Sequence, residues 1–113
     1  MTFSLPTIRQ AAQAGRIKWR YHALLRASER GITRDLALRV IEEGEILEER
    51  SQAKPFPKCL MMAMMEPNKR PLYVSLGYDW AEDYLYIITV HWLDPEKWDD
   101  PWTRAPKRRS KKP

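Results

Sequence analysis

Tyr73 and His91 are residue types suited to acid–base work on a phosphodiester, and they stand at matching positions of two consecutive strand-like segments. In residues 71–79, Leu72, Val74, Leu76 and Tyr78 alternate with Tyr73, Ser75, Gly77 and Asp79. In residues 85–92, Tyr86, Ile88, Val90 and Trp92 alternate with Leu85, Ile87, Thr89 and His91. A loop over 80–84 joins them as an antiparallel hairpin. The expected register sets Val74 against Val90, Leu76 against Ile88 and Tyr78 against Tyr86 on the core side. On the open side Ser75 meets Thr89 and Tyr73 meets His91, with Arg70 just before the pair. Directly opposed residues hold their Cβ atoms roughly 4.5–5.5 Å apart. A slip of one residue would send Tyr73 and His91 to different faces.

RNA cleavage without a metal needs a group to take the 2′-hydroxyl proton, a group to protonate the leaving 5′-oxygen, and cations to offset charge on the phosphoryl oxygens. His91 suits either proton role near neutral pH. Tyr73 suits donation or orientation, and Arg70 with Arg50 or Lys58 suits phosphate binding. The competing reading is a partly buried polar cross-strand pair with no chemistry. His22, Arg26 and Arg30 recur every four residues and share one helix face. That stripe is either an RNA-phosphate contact or a solvated basic face with a backbone-bonded histidine. Trp98 and Trp102 either stack on bases or pin the C-terminal segment to the domain.

The elements that would position these residues are helices first and strands after. Ser4 and Pro6 open a helix carrying Ile8, Ala11 and Ala12, which stops at Gly15. Residues 17–20 read as an extended link, and a second helix over 21–30 ends at Gly31. Thr33 caps a third helix with an apolar stripe of Ile32, Leu36, Val40 and Ile41, closed by Gly44. Residues 45–50 read as an acidic edge strand. The apolar run 59–65 reads as a central strand covered on both faces, its methionines adaptable packing rather than a cofactor box. The order predicts an α+β fold, with the N-terminal helices on one face of a C-terminal antiparallel sheet of about four strands.

The chain has 113 residues, which is one domain by size. The domain is expected over 1–102, with a basic, unfolded tail over 103–113. Six of the 20 lysines and arginines fall in that tail, leaving 14 against 15 acidic residues in the body. The net charge of +5 therefore does not mark the folded body as a polyanion binder. The tail is either a solubilising end or an electrostatic arm. Cys59 is the single cysteine, which excludes an internal disulfide and a cysteine-based zinc site. The expectation is a cytoplasmic protein with no metal, no cofactor and no membrane segment.

The string His22-Ala23, Arg26, Glu29-Arg30-Gly31-Ile32 resembles the bacterial domain of unknown function 4258 family. So do Glu43-Gly44-Glu45, Arg70-Pro71-Leu72 and Ile88-Thr89-Val90, and the resemblance spans roughly residues 8–98. Members often carry His at the Tyr73 position and Tyr at the His91 position, so this chain looks swapped at both. The layout, with Ala14-Gly15-Arg16-Ile17 after the first helix, also resembles MqsR-type toxins of the RelE-like group. That resemblance implies a toxin-type endoribonuclease of a toxin–antitoxin module, acting on free or ribosome-associated mRNA. It also implies a small antitoxin partner, of a kind that can carry a zinc-binding module. The active Tyr and Lys proposed for those toxins fall opposite Tyr73 and His91, so His stands here in place of Lys. Two other classes fit the same residues: a non-catalytic RNA- or ribosome-binding module, and a protein-interaction module.

Overall fold

Three short helices form where small apolar residues recur at helical spacing. They are seen in a computed structural model that describes residues 4–106. The basic run 107–113, read above as unfolded tail, lies outside the described residues. Helix α1 (Leu5–Gln13) has Pro6 in its first turn and buries Ile8, Ala11 and Ala12. Ser4 is its N-cap residue, but its side chain makes no capping bond. Helix α2 (Tyr21–Arg30) buries Ala23 and Ala27 and ends on Gly31, whose φ of 68° is left-handed. Helix α3 (Arg34–Glu43) starts from Thr33, whose hydroxyl accepts the Leu36 N–H at 3.1 Å. It ends on Gly44, where a Cβ would overlap the carbonyl oxygens of Val40 and Met62. Only glycine lets the chain turn there directly against the sheet.

Five strands follow the order β1-β5-β4-β3-β2. They are β1 (Ile17–Trp19), β2 (Glu45–Arg50), β3 (Lys58–Met65), β4 (Arg70–Asp79) and β5 (Tyr84–Trp92). The β2, β3, β4 and β5 pairings are antiparallel, and β1 lies parallel to β5. The fold is thus α+β with a five-stranded mixed sheet, rather than an antiparallel sheet of about four strands. The added strand is the segment read as a link. Three residues are too short for a visible alternation, and the strand is fixed by pairing: Leu85 donates to the Arg16 carbonyl, and Arg20 to that of Ile87. A two-stranded hairpin of β6 (Trp98–Asp100) and β7 (Thr103–Arg104) follows the sheet. Thr103 and Arg104, counted with the tail above, are therefore part of the fold.

The hairpin register matches expectation at Tyr73–His91, Val74–Val90 and Ser75–Thr89, then shifts. Leu76 faces Ile87, Gly77 faces Tyr86 and Tyr78 faces Leu85, leaving Ile88 as a bulge. The extra residue changes the phase of the alternation, so that Leu85, Ile87 and Val90 all reach the core. The main core joins the buried helix residues to Cys59, Met61, Ala63 and Met65 of β3, to Leu72, Val74, Leu76 and Tyr78 of β4, and to those three of β5. A second, smaller cluster on the opposite face contains Leu60, Met62, Tyr73 and Trp98. Burial on both faces explains why β3 is apolar from Cys59 to Met65. Among the described residues, no helix is long and apolar enough to cross a membrane.

Candidate nucleic-acid interface

The face of the sheet opposite the main core is not uniformly open. Residues 94–104 form a strap across its end, and the strap is tied down by side chains of several types. Trp98 is buried and stacks on Tyr73 with ring centroids 4.7 Å apart. The Tyr73 hydroxyl donates to the Pro101 carbonyl at 2.7 Å. Arg104 grips Glu48 through two hydrogen bonds of 2.7 and 3.1 Å, and Trp102 donates to Glu45 at 2.9 Å. Tyr73, expected on an uncovered face, is fully buried. Burial, with Asp100 nearby, pushes its phenol up to about 12. Of the two tryptophans, Trp98 is the pin, whereas Trp102 is about half exposed.

His91 sits where the strap stops. Its ring lies nearly parallel to that of Tyr73, with centroids 5.1 Å apart and 8° between planes. Its Nδ1 lies 3.0 Å from the Trp92 carbonyl oxygen. A carbonyl only accepts, so Nδ1 carries the proton and Nε2 keeps its lone pair. Burial lowers the imidazole pKa below its ordinary value near 6.5, and the charges of Arg30, Lys97 and Arg104 lower it further. The Trp92 hydrogen bond opposes this shift. His91 is therefore neutral at pH 7, with one nitrogen free to accept a proton.

Around His91 runs a trough. Its widest part, about 510 Å³, is lined by Arg30, Thr89, His91, Lys97, Trp98 and Arg104, among others. A second depression shares Thr89, His91 and Arg104 and adds Arg50, Lys58 and Ser75. A third shares Arg30 and Thr89 and adds His22 and Arg26. The path exists because β1 pairs only with Leu85, Tyr86 and Ile87, which leaves the rest of the β5 edge to α2. Arg30 donates to the Val90 carbonyl on that edge at 2.7 Å, and the Trp92 indole returns a bond to the Arg30 carbonyl at 2.9 Å. Asp94 and Glu48 also line the trough, and Glu48 is answered by Arg104. Arg50 and Lys58 are direct cross-strand partners. Like charges so placed repel, and an anion between them would relieve the repulsion.

The structure thus places Arg30, Arg50 and Lys58 in depressions that His91 also lines, whereas His22 and Arg26 line the third, which His91 does not reach. Arg70 is in none of them: its guanidinium lies over the Trp92 ring at 4.0 Å and lines none of the three depressions. Closeness in sequence misled there: a residue at the start of β4 is carried away from its neighbour's partner by the pleat. Lys97 and Arg104 are trough cations that sequence reasoning did not select. Their charges are visible in the sequence, but only the strap directs them back to His91.

No curated protein matches the chain, and no solved structure does. Residues 19–92, from the last residue of β1 to the end of β5, match the family described as Domain of unknown function (DUF4258), and the chain belongs to that family.

Proposed function

We propose that the trough binds RNA and that His91 cleaves it as a general base, without a metal. The observation that carries this is a neutral histidine with a free ring nitrogen, set among cations from α2, β2, β3 and the strap. In this reading Nε2 takes the proton of a 2′-hydroxyl, and that oxygen attacks the adjacent phosphorus. The bond to the 5′-oxygen breaks, and the departing oxygen receives the proton from the imidazolium. The products are a 2′,3′-cyclic phosphate and a free 5′-hydroxyl. Tyr73 holds the imidazole plane by stacking rather than donating, since its hydroxyl is engaged. Arg50 and Lys58 hold phosphate oxygens.

The test is cleavage of labelled RNA in the presence of a metal chelator. Removal of one positioned acid–base group typically costs about 10²–10⁴-fold. His91→Ala should lose activity in that range while still binding RNA. A wild type that leaves RNA intact would remove the catalytic part of the proposal.

A second reading, a non-catalytic RNA-binding module, is favoured by the engaged Tyr73 hydroxyl and by Arg70, which stacks on Trp92 and lines none of the depressions. It expects binding that is equal in wild type and His91→Ala. The RelE-like toxin role and a small antitoxin partner belong to the catalytic reading. They rest on the resemblance drawn from the sequence. They predict growth arrest on expression, relieved by co-expression of the neighbouring gene's product.

A further inference from the structure

Beyond the strap the outer face carries a second group of residues that the trough does not use. Tyr86 and Phe56 stack with centroids 5.3 Å apart and 3° between planes. Arg20 lies over the Tyr86 ring at 5.9 Å, and Lys18 over the Tyr84 ring at 4.9 Å. The rings are half-buried and the two cations exposed. Lys18 is the register partner of Tyr86 across the β1–β5 pairing, so both project to the outer face. Gly77, opposite Tyr86, puts no side chain between that ring and the loop carrying Phe56. The acids at the β4–β5 turn are engaged with other groups. Asp79 accepts the N–H groups of Ala81 and Glu82, and Asp83 pairs with Arg16 at 2.8 Å.

Flat rings interleaved with cations that form no ion pair among the described residues suit single-stranded nucleic acid, whose bases stack while its phosphates meet the charges. A duplex hides its base faces and cannot use the rings. The group lies in line with the trough. From the Tyr73–His91 pair to the Gly77–Tyr86 pair is four residues of β4, or about 13 Å at about 3.3 Å per residue. Ser75 and Thr89 stand between, and Lys58 lies beside Gly77 as its register partner on β3.

We infer that Tyr86 and Phe56, flanked by Lys18 and Arg20, form a base-stacking subsite that selects single-stranded over duplex RNA. This rests on the reading of the trough as an RNA site. It adds a direction, with the strand running from His91 along β5 toward β1.

The experiment is fluorescence anisotropy with three probes at fixed salt: a 2′-O-methyl single strand, its abasic counterpart and a 2′-O-methyl duplex. The methylated sugar lacks the attacking hydroxyl, so binding is read without cleavage. Wild type should prefer the single strand to both others. Tyr86→Ala should weaken single-strand binding about 5- to 150-fold, the worth of one stacked base, and leave abasic binding unchanged. Tyr86→Phe should retain wild-type affinity. Phe56→Ala, in the loop before β3, gives the same readout without altering β5. Equal single-strand affinity in wild type, Tyr86→Ala and Phe56→Ala would overturn the subsite, as would duplex binding as tight as single-strand binding. If His91→Ala still abolishes cleavage in that case, the trough reading stands alone. If wild type binds none of the probes, both readings fall.

Discussion

Along β4 and β5 the outer face changes character within a few residue pairs. At Tyr73–His91 it is dry: Tyr73 is fully buried, Met62 lies in the same cluster and Trp98 covers the ring. At Ser75–Thr89 it is polar, edged by Arg50 and Lys58. The same two strands build both ends, and the strap makes the difference by covering one and stopping short of the other. His91 lies on the boundary. One side of its environment is apolar enough to keep it neutral, and the other is open to solvent and cations. A histidine wholly in the dry region would have no substrate, and one wholly in the wet region would lose the depressed pKa. The strap lies outside residues 19–92, the span matched to the family, so the covered end is built by sequence beyond that span.

The strongest way to break the contrast is to remove the pin. Trp98→Ala should destabilise the protein by about 3–5 kcal/mol, as for other buried aromatic truncations. It should also expose the Tyr73 hydroxyl and return the His91 pKa toward its ordinary value. Chemical denaturation reads the first effect, and histidine titration by NMR the second. An unchanged His91 titration in a folded Trp98→Ala variant would mean that the strap does not control the site.

That outcome bears on what the sequence could reveal. The Tyr73–His91 and Ser75–Thr89 pairings were legible because alternation in both strands is clean there. The phase shift was not, since Ile87 and Ile88 are both apolar and β-branched, and either can face the core. Arg104 was hidden for a different reason. It begins a basic run that reads as unfolded tail, and only the pairing with Trp98 and the grip on Glu48 bring it into the fold. The covering of Tyr73 was undecidable because a tryptophan after the last strand serves equally as pin or platform. Helix stops at Gly31 and Gly44 were readable, because backbone requirements at such positions leave few residue choices.

A smaller effect sharpens the wet side. Arg50→Gln with Lys58→Gln removes two proposed phosphate contacts and a like-charge pair. The slope of log affinity for single-stranded RNA against log salt should fall in magnitude by about 1.4, at roughly 0.7 per lost contact. Stability should hold or rise by about 0.2–1 kcal/mol, because the direct cross-strand repulsion is gone. Anisotropy across a salt series with denaturation in parallel separates the two effects. A lower stability with an unchanged slope would show that the cations serve the fold and not a ligand.

The smallest effect tests the boundary itself. His91 titrates lower in the folded chain than its ordinary value near 6.5. Between those two values the unfolded chain binds the extra proton and the folded chain does not, so stability rises with pH through that window. The contribution is present above about 6.5 and is lost as pH falls through the folded value. Arg30 from α2 and Lys97 and Arg104 from the strap add to the effect, while the Trp92 carbonyl opposes it. Glu48 acts in a separate window. Its carboxyl is held below the ordinary value of 4.5, mainly by the hydrogen bond from Arg104, so its contribution is lost only at more acid pH. Denaturation midpoints measured across both windows should therefore fall in two steps on acidification. His91→Gln should erase the upper step alone, and Glu48→Gln should shrink the lower, to which Asp100, held below its ordinary value by the Trp102 N–H, also contributes. A wild-type curve flat through the upper window would mean that the covered end does not reach His91, and the contrast between the two ends would then carry no consequence for chemistry.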